Sequence, residues 1–383
     1  MMRRFEPTLM ALGGLLLAAV VIGWLRFGGL GDPPVASPEN LAESMGPSAD
    51  DDEYARVTGP VPLVFPEDHG AHPDYRTEWW YFVGNVTAED GRDYGFQLTL
   101  FRSALAPEDP DKASDWTTRQ AWMGHFAVTD IEAGEHRARE RYQRGALGLA
   151  GATVRPVRIW LDDWEALSED PEHLFPLRLR ASEPDQGIAI DLRLDDLKGH
   201  VLHGDQGYSR KGAEPGNASR YYAFTRLTAD GELRFDDRNA EVSGSAWLDR
   251  EWSTSALDAG QQGWDWFALQ LDDGRDLVVY RIRRDDGSVD PHSKGLLVDP
   301  DGNSEVLGVD DFNLTPQRHW QSPQTGSRYP VEWSVQVPDA DLDLTVTARV
   351  DAQEMPTTVR YWEGSVSVRG SDTGVGYLEM TGY

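Results

Sequence analysis

Cysteine is absent from the 383-residue chain, and lysine is nearly absent. Without cysteine, the protein can form no disulfide, no thiolate metal site, no cysteine nucleophile and no lipoprotein-type lipid anchor. Lysine occurs only at positions 112, 198, 211 and 294, so arginine supplies the other 32 of the 36 basic residues. An exterior rich in Asp and Glu and poor in Lys suits concentrated salt, although a GC-rich genome also favours arginine.

Several motifs of catalysis and nucleotide binding are also missing. No G-x-S-x-G nucleophile elbow is present, and no Gly-rich phosphate loop follows a predicted strand, so we expect no nucleotide cofactor. The formal net charge of −29 argues against nucleic acid or an anionic lipid surface as a partner. Apolar residues make up 39% of the chain and include 14 Trp, which is ample material for a core.

The N-terminus carries a long uncharged apolar run. Arg3 and Arg4 precede this run, residues 8–25, whose length matches the hydrocarbon core of a bilayer. Positive residues before the run predict a cytoplasmic N-terminus, with the main part of the chain in the periplasm. We interpret residues 1–27 as a single-pass inner-membrane anchor, with a cleaved signal peptide and secretion as the alternative. Residues 28–60, rich in Gly, Pro, Ser and acids, read as a flexible linker.

The remaining chain predicts an all-β protein that repeats itself. Short strand-forming runs are separated by turn sequences such as EDGRD and DDGRD. WWYFVGNVTAEDGRDYGFQLTLFR from Trp79 matches WDWFALQL-DDGRDLVVYRIR from Trp264. Four further matches follow in the same order, beginning at Gly124 and Gly295, Pro176 and Pro330, Arg220 and Arg360, and Gly244 and Gly376. Two copies predict two similar β-barrel domains, residues 61–255 and 256–383.

The first strand of the repeat, TEWWYFVGNV, has aromatic residues on both faces. Alternation places Thr77, Trp79, Tyr81 and Val83 on one face, and Glu78, Trp80 and Phe82 on the other. Such a strand needs cover on both sides. We therefore expect one face to line a barrel interior, and the other to be covered by loops or by the second barrel.

Six motifs together resemble one known family. They are FPEDHGAHPDYRTEWWYFVGN, GYSRKGAEPGNASRYYAFTRL, GSAWLDREWSTSAL, GWDWFALQLDDGRDL, YWEGSV and GVGYLEMTGY. This combination is similar to the AttH/CrtC-type lipocalin-like family, which includes secreted hydrolase-like proteins and carotenoid 1,2-hydratases (hydroxyneurosporene synthases). The resemblance spans about residues 61–383 and implies two lipocalin-like barrels packed together. The hydratases add water to an isoprenoid double bond, and relatives beside ABC-type export permeases imply a role in envelope lipid or lipoprotein traffic.

Carboxyl groups within aromatic strands are the candidate catalytic residues. In SAWLDREW, Asp249 and Glu251 share one strand face, where mutual repulsion and burial raise at least one pKa. A protonated acid can protonate an alkene, while tryptophan faces stabilise the resulting carbocation. Asp265, between two tryptophans, is the third candidate. In the alternative interpretation these acids are solvated, or bonded to arginines or backbone amides at the barrel ends.

The candidate ligand-binding residues surround these acids in the aromatic strands, and they are Glu78, Trp80, Tyr81, Trp252 and Trp266. Trp79 and Trp264 fit instead the core tryptophan that lipocalin-like barrels bury near the first strand. The pairs His69/His72 and His200/His203 have a metal-like spacing but no zincin-type helix context, so we predict no metal site.

Three hypotheses of function remain open at the level of sequence. The chain is an acid-catalysing hydratase or isomerase of an apolar isoprenoid or lipid, or a carrier of such a ligand beside an ABC-type permease. The third hypothesis is a structural envelope component. An enzyme requires a buried acid facing an open cavity, a carrier requires the cavity alone, and a structural protein requires neither.

Overall fold

The computed structural model describes residues 53–383 apart from residues 109, 110, 112, 113, 256 and 259. These residues form strands, turns and three short 3₁₀ helices, Glu67–His69, Pro184–Gln186 and Pro338–Ala340, with no α-helix among them. The all-β prediction is therefore confirmed. The predicted anchor over residues 8–25 lies outside the described residues. Within the described part, no helix has the length and apolarity needed to cross a bilayer.

The first sheet contains 13 strands of the described residues. They are β1 Thr77–Ala88, β2 Asp93–Ala104, β3 Gln120–Asp130, β4 Glu135–Arg144, β5 Ala150–Val154, β6 Val157–Leu161, β7 Trp164–Ser168, β8 Leu177–Glu183, β9 Ile188–Asp196, β10 Val201–Leu202, β11 Tyr208–Arg210, β12 Ala218–Phe235 and β13 Arg238–Ser253. Their order is β4-β3-β2-β1-β13-β12-β9-β8-β7-β6-β5, and β10 and β11 also pair with β12.

The second sheet contains ten strands of the described residues. They are β14 Gln261–Leu271, β15 Asp276–Arg284, β16 Lys294–Val298, β17 Ser304–Leu307, β18 Asn313–Gln321, β19 Arg328–Val337, β20 Leu342–Ala348, β21 Glu354–Met355, β22 Tyr361–Gly370 and β23 Gly374–Met380. Their order is β17-β16-β15-β14-β23-β22-β20-β19-β18, and β21 pairs with β22. Both sheets are antiparallel and barrel-like.

The sequence repeat reappears as a repeat of strand order. All five sequence matches fall on strands that hold the same place in the two sheets, beginning with the hairpins β1–β2 and β14–β15. The turns of these hairpins place Gly91 and Gly274 at φ 84° and 92°, a conformation that favours glycine. The first sheet extends further, because β5 and β6 continue it beyond β7. The domain boundary between residues 255 and 256 stays a prediction.

Strand alternation decides what each face of β1 contacts. The even-numbered Trp80 and Phe82 belong to the apolar core of the first sheet, whereas Tyr81 and Val83 belong to an apolar layer shared by both sheets. We call this shared layer the seam. Its buried members are Tyr81, Val83, Val201, Tyr221, Ala223, Trp247, Leu257, Trp266, Ala268, Val278, Tyr280, Ile282, Leu296, Val298 and Tyr377. The second sheet therefore covers the outer aromatic face of β1. This is one of the two arrangements expected from the sequence, cover by loops or cover by the second barrel.

Candidate functional site

A cavity of about 340 Å³ lies in the seam, between β1–β4, β12 and β13 of the first sheet and β14, β15, β22 and β23 of the second. The side chains that line this seam cavity include Trp79, Tyr81, His125, Tyr142, Lys211, Tyr221, Asp249, Glu251, Trp264, Trp266, Tyr361 and Glu379. The exposed side chain of Tyr142 marks the end that opens to solvent. Carboxyl groups with little or no solvent exposure mark the inner end.

The aromatic walls come from equivalent strands of the two halves. β1 contributes Trp79 and Tyr81, and β14 contributes Trp264 and Trp266. The rings of Tyr81 and Trp266 meet edge to face, with centroids 5.2 Å apart. Edge-to-face contacts hold ring orientations, so these walls are preorganised around the cavity.

Asp249 lies at the inner end and is 4% exposed. Trp247 Nε1 donates to Asp249 Oδ1 at 2.7 Å, and the Tyr221 hydroxyl donates to Oδ2. Burial raises the pKa of Asp249 to about 8, although both hydrogen bonds lower it; the nearby Glu251 charge raises it further. The raised pKa favours the protonated form of Asp249 near neutral pH, and this residue borders the cavity.

Glu251, two residues along the same face, has a different environment. The Ser219 hydroxyl donates to Glu251, and Lys211 Nζ lies 3.1 Å from its Oε1. Burial lowers the pKa of Lys211, but the Glu251 carboxylate more than offsets this and raises it overall. The Lys211 ammonium also lies over the ring of Tyr280, 4.3 Å from its centroid. The two acids thus differ in partner: a phenol and an indole for Asp249, an ammonium for Glu251.

Two further acids in the seam were missed by sequence reasoning. Glu379 borders the cavity and accepts a hydrogen bond of 2.6 Å from Trp264 Nε1. Burial raises the pKa of Glu379 to about 7, opposed by this hydrogen bond. Glu363 is 1% exposed and pairs across the strands with Glu379. Both lie within quoted motifs, YWEGSV and GYLEMTGY, so the criterion of an acid in an aromatic strand could have found them.

Asp265 does not border the cavity. Because its neighbours Trp264 and Trp266 point into the seam, Asp265 points into the interior of the second sheet. There it is fully buried, with Arg281 Nη2 at 2.8 Å and Arg283 Nε at 3.3 Å from its Oδ2. This carboxylate is neutralised by two arginines, an arrangement that suits structure better than proton donation.

Glu78 has the equivalent environment inside the first sheet. It is fully buried and ion-paired with both Arg102 and Arg250, and it accepts the backbone N–H of His72. Burial raises its pKa, but the two arginines outweigh burial and hold the pKa of Glu78 well below its usual range. Each half of the molecule thus encloses one acid held by two arginines.

Four of the five tryptophans discussed from the sequence lie elsewhere than expected, and Trp266 lies where it was expected. Trp80 and Trp252, predicted to bind ligand, lie in the core of the first sheet, because their strand parity points them inward. The Arg250 guanidinium stacks over the Trp80 ring at 3.9 Å, and the His72 ring stacks on Trp252 at 3.9 Å. Trp79 and Trp264, predicted as core residues, line the seam cavity instead. Tyr81 and Trp266 line the cavity at positions consistent with the predicted ligand contact.

The histidine pairs make local contacts. His69 Nδ1 is 2.7 Å from the Tyr222 hydroxyl, and His203 stacks on Tyr221 with centroids 3.6 Å apart. His200 meets Phe65 edge to face. Among the described residues, no group of three or more His, Asp or Glu side chains has the arrangement of a metal site.

Comparison with known proteins agrees with this architecture. Residues 56–383 match the family model described as AttH-like. A crystal structure assigned as an AttH from Nitrosomonas europaea is 32% identical, covers 86% of this chain and 99% of its own, and superposes with a TM-score of 0.76. Kievitone hydratase from Nectria haematococca shares the fold at 13% identity, with coverages of 86% and 96% and a TM-score of 0.64. No functionally curated protein matches the chain. The family resemblance seen in the sequence is confirmed.

Proposed function

We propose that this chain, which belongs to the AttH-like family, binds an apolar alkene in the seam cavity and adds water to its double bond by acid catalysis. The observation that carries the proposal is Asp249, a buried carboxyl at the inner end of an aromatic cavity whose pKa lies near 8. A general acid works best when its pKa is near the working pH. Isomerisation of the double bond, by loss of a different proton from the cation, is the variant of the same chemistry.

The cavity supports an apolar ligand of modest size. Its volume of about 340 Å³ lies at the lower end of the range of ligand pockets, about 300–1,000 Å³. Most of the lining residues are aromatic or aliphatic, and the carboxyl groups of Asp249, Glu251 and Glu379 border the same space. An isoprenoid or an unsaturated acyl chain fits this distribution.

Hydration begins with proton transfer from Asp249 to the alkene. The O–H bond of Asp249 breaks, and the π electrons of the alkene form a new C–H bond to that proton. The resulting carbocation faces Tyr81 and Trp266, whose ring faces contribute about 1–2 kcal/mol towards it. A water oxygen attacks the cation, and the excess proton of the oxonium returns to the Asp249 carboxylate. The net change is addition of H and OH, with the enzyme restored.

The ion pair between Lys211 and Glu251 supports a second role at the same end of the cavity. Glu251 is a carboxylate held next to the acid, so it can orient the attacking water through a hydrogen bond. The fold shared with kievitone hydratase supports a hydratase only in general terms. The assignment to this chain rests on Asp249 and its surroundings.

The test offers isoprenoid alkenes and unsaturated fatty acids to the purified protein in ¹⁸O-labelled water. Mass spectrometry detects an ¹⁸O-labelled alcohol, and tryptophan fluorescence follows binding. We expect Asp249→Asn to retain binding and lose product by about 10²-fold or more. The exposed acid Glu135, changed to Gln, is the matched control and should keep both.

Binding without a product in the wild type would support a carrier instead, a function that needs the cavity alone. Absence of both binding and product for every apolar compound would contradict both proposals.

The proposed location is the periplasmic side of the inner membrane, held by residues 8–25 and adjacent to an ABC-type permease. The sequence supports this location through Arg3 and Arg4, and an alkaline phosphatase fusion after Glu67 should be active. An inactive fusion would contradict the topology.

A further inference from the structure

We propose that Glu140, His125 and Tyr361 form a proton relay that connects solvent at the cavity mouth with two further acids, the buried Glu363 and the partly buried Glu379. The inference goes beyond the proposed function, because a relay delivers protons to these acids whether or not a ligand reacts. It rests on hydrogen bonds that cross the seam from the first sheet to the second.

The outer half of the relay is a continuous hydrogen-bonded path. Glu140 on β4 and His125 on β3 are directly opposite in the strand register, with Glu140 Oε1 3.0 Å from His125 Nε2. His125 Nδ1 is 2.7 Å from the hydroxyl of Tyr361 on β22 of the second sheet. The side chain of His125 is 2% exposed, and that of Glu140 is 13% exposed. Among these three residues, Glu140 therefore has the greatest contact with solvent, since Tyr361 is 5% exposed.

The inner half continues along the second sheet. Tyr361 and Glu363 lie two residues apart on one face of β22, and Glu363 is directly opposite Glu379 on β23. Both carboxyl oxygens of Glu363 lack a hydrogen bond of ordinary geometry within the described part of the chain, although the hydroxyls of Tyr81 and Tyr361 lie close enough to lower its pKa. Buried polar groups that lack well-formed hydrogen bonds are rare in native proteins and often carry a functional role. A carboxyl group in this condition is suited to accept and release a proton.

The surroundings of Glu363 favour its protonated form. Burial, and then the charge of Glu379, raise the pKa of Glu363 well above its usual range, while Tyr81 and Tyr361 lower it. Tyr377 also faces Glu363.

Glu379 has its own set of neighbours, namely Trp264 on β14, Glu363 on β22 and Glu251 on β13. At the outer end, burial raises the pKa of Glu140, but the hydrogen bonds from His125 and Thr358 more than compensate and lower it overall. The path therefore runs from an ionised acid at the surface to protonated acids within.

One passage of a proton balances across the path. Glu140 takes a proton from solvent and gives it to His125 Nε2, while His125 Nδ1 gives its proton to the Tyr361 oxygen. Glu363 gives its proton to the ionised Glu379 opposite it, and Tyr361 passes its own hydroxyl proton to the Glu363 carboxylate that remains. Glu140 ends as the carboxylate, the imidazole ends as the other neutral tautomer, Glu363 is again protonated, and Glu379 gains one proton.

The experiment uses Trp264 as a built-in reporter of Glu379. Because Trp264 Nε1 donates to Glu379, protonation of that carboxyl changes the indole emission, and the difference between wild type and Trp264→Phe isolates this signal. We expect the signal to titrate near pH 7. After a stopped-flow pH jump across this range, we expect Tyr361→Phe and His125→Phe to respond about tenfold or more slowly than wild type.

Three further variants keep the result interpretable. Glu140→Gln changes a partly exposed residue, so it tests the relay with little risk to folding, and it should also slow the response. His173→Phe changes an exposed histidine far along the chain and should respond as wild type does. Imidazole added to His125→Gly should restore part of the rate, which a purely structural role for His125 would not allow.

Equal rates in wild type, Glu140→Gln and Tyr361→Phe would overturn the relay, because protons would then reach Glu379 by another path. A Trp264 signal that fails to titrate in folded wild type would overturn it as well. Neither result depends on finding a ligand, so failure of the relay is distinguishable from failure of the proposed hydratase.

Discussion

At the scale of single residues, burial gives the acids of this protein two opposite states. Where two arginines surround the carboxyl, as at Glu78, the charged form is retained. At Asp249, burial outweighs the hydrogen bonds from the phenol of Tyr221 and the indole of Trp247, so the protonated form persists to about pH 8. The sequence places both acids in strands that contain tryptophan, so their difference arises only from the neighbours that folding supplies.

We predict that Asp249→Asn changes the pH dependence of stability. The native pKa of Asp249 is raised to about 8, whereas an unfolded Asp titrates near about 4. Between these values the native state binds the extra proton, so the stability contributed by Asp249 falls as pH rises, by about 1.4 kcal/mol per pH unit. Urea unfolding of wild type and Asp249→Asn from about pH 5 to about pH 8 should show this slope in their difference. A difference that is flat with pH would contradict the raised pKa.

We also predict that Glu78→Gln is strongly destabilising. The substitution leaves Arg102 and Arg250 buried without their shared carboxylate, which costs about 3–5 kcal/mol. Glu135→Gln removes an exposed partner of Arg137 and should cost less than about 1 kcal/mol. Chemical denaturation compares the two, and similar losses would mean that the buried ion pairs do not form.

At the scale of elements, neighbouring residues of strand β1 have different surroundings. Trp80 packs in the core of the first sheet, whereas Trp79 lines the seam cavity. We predict that Trp80→Ala lowers the free energy of unfolding by about 3–5 kcal/mol, because it opens a cavity in the core of the first sheet. Trp79→Ala should cost clearly less, because Trp79 is only partly buried and already borders open space. Equal losses in urea denaturation would indicate that both faces of β1 are equally packed.

Most of the fold could be predicted from the sequence, but only part of the site. The turn sequences and the internal repeat predicted the β class and the matching hairpins. Alternation separated Tyr81 from Trp80, yet it could not say which face lines the cavity, because both faces are aromatic and buried. The pairing of Glu363 with Glu379 depends on the register between β22 and β23. The contact of His125 with Tyr361 depends on how the two sheets meet, so neither could be read from local pattern.

At the scale of the whole molecule, the two sheets are joined by the apolar seam and by buried ion pairs beside it. Asp276 on β15 is fully buried and binds Lys198 and Arg226 from the side of the first sheet, at 2.7 Å and 2.6 Å. The apolar layer around it takes residues from both sheets. Neither half can leave this surface exposed without losing a large part of its buried apolar area.

We therefore predict that residues 53–383 unfold in a single cooperative transition. Calorimetric and van't Hoff enthalpies should agree, and Asp276→Ala should lower the midpoint without splitting the transition. Asp311→Ala, which changes an acid in an exposed turn, serves as the control. Two separate transitions, of which Asp276→Ala shifts only one, would show that the halves fold independently.

The burial of lysine at the seam has a consequence for the reactivity of the protein. Lys198 and Lys211 have side chains only 4% and 11% exposed, and Lys294 is partly buried, while Lys112 lies outside the described residues. Amine-directed reagents such as succinimidyl esters or aldehyde crosslinkers will therefore find few targets on the native surface. The rate at which Lys198 or Lys211 is labelled, measured by peptide mass mapping, will therefore report how often the two sheets separate.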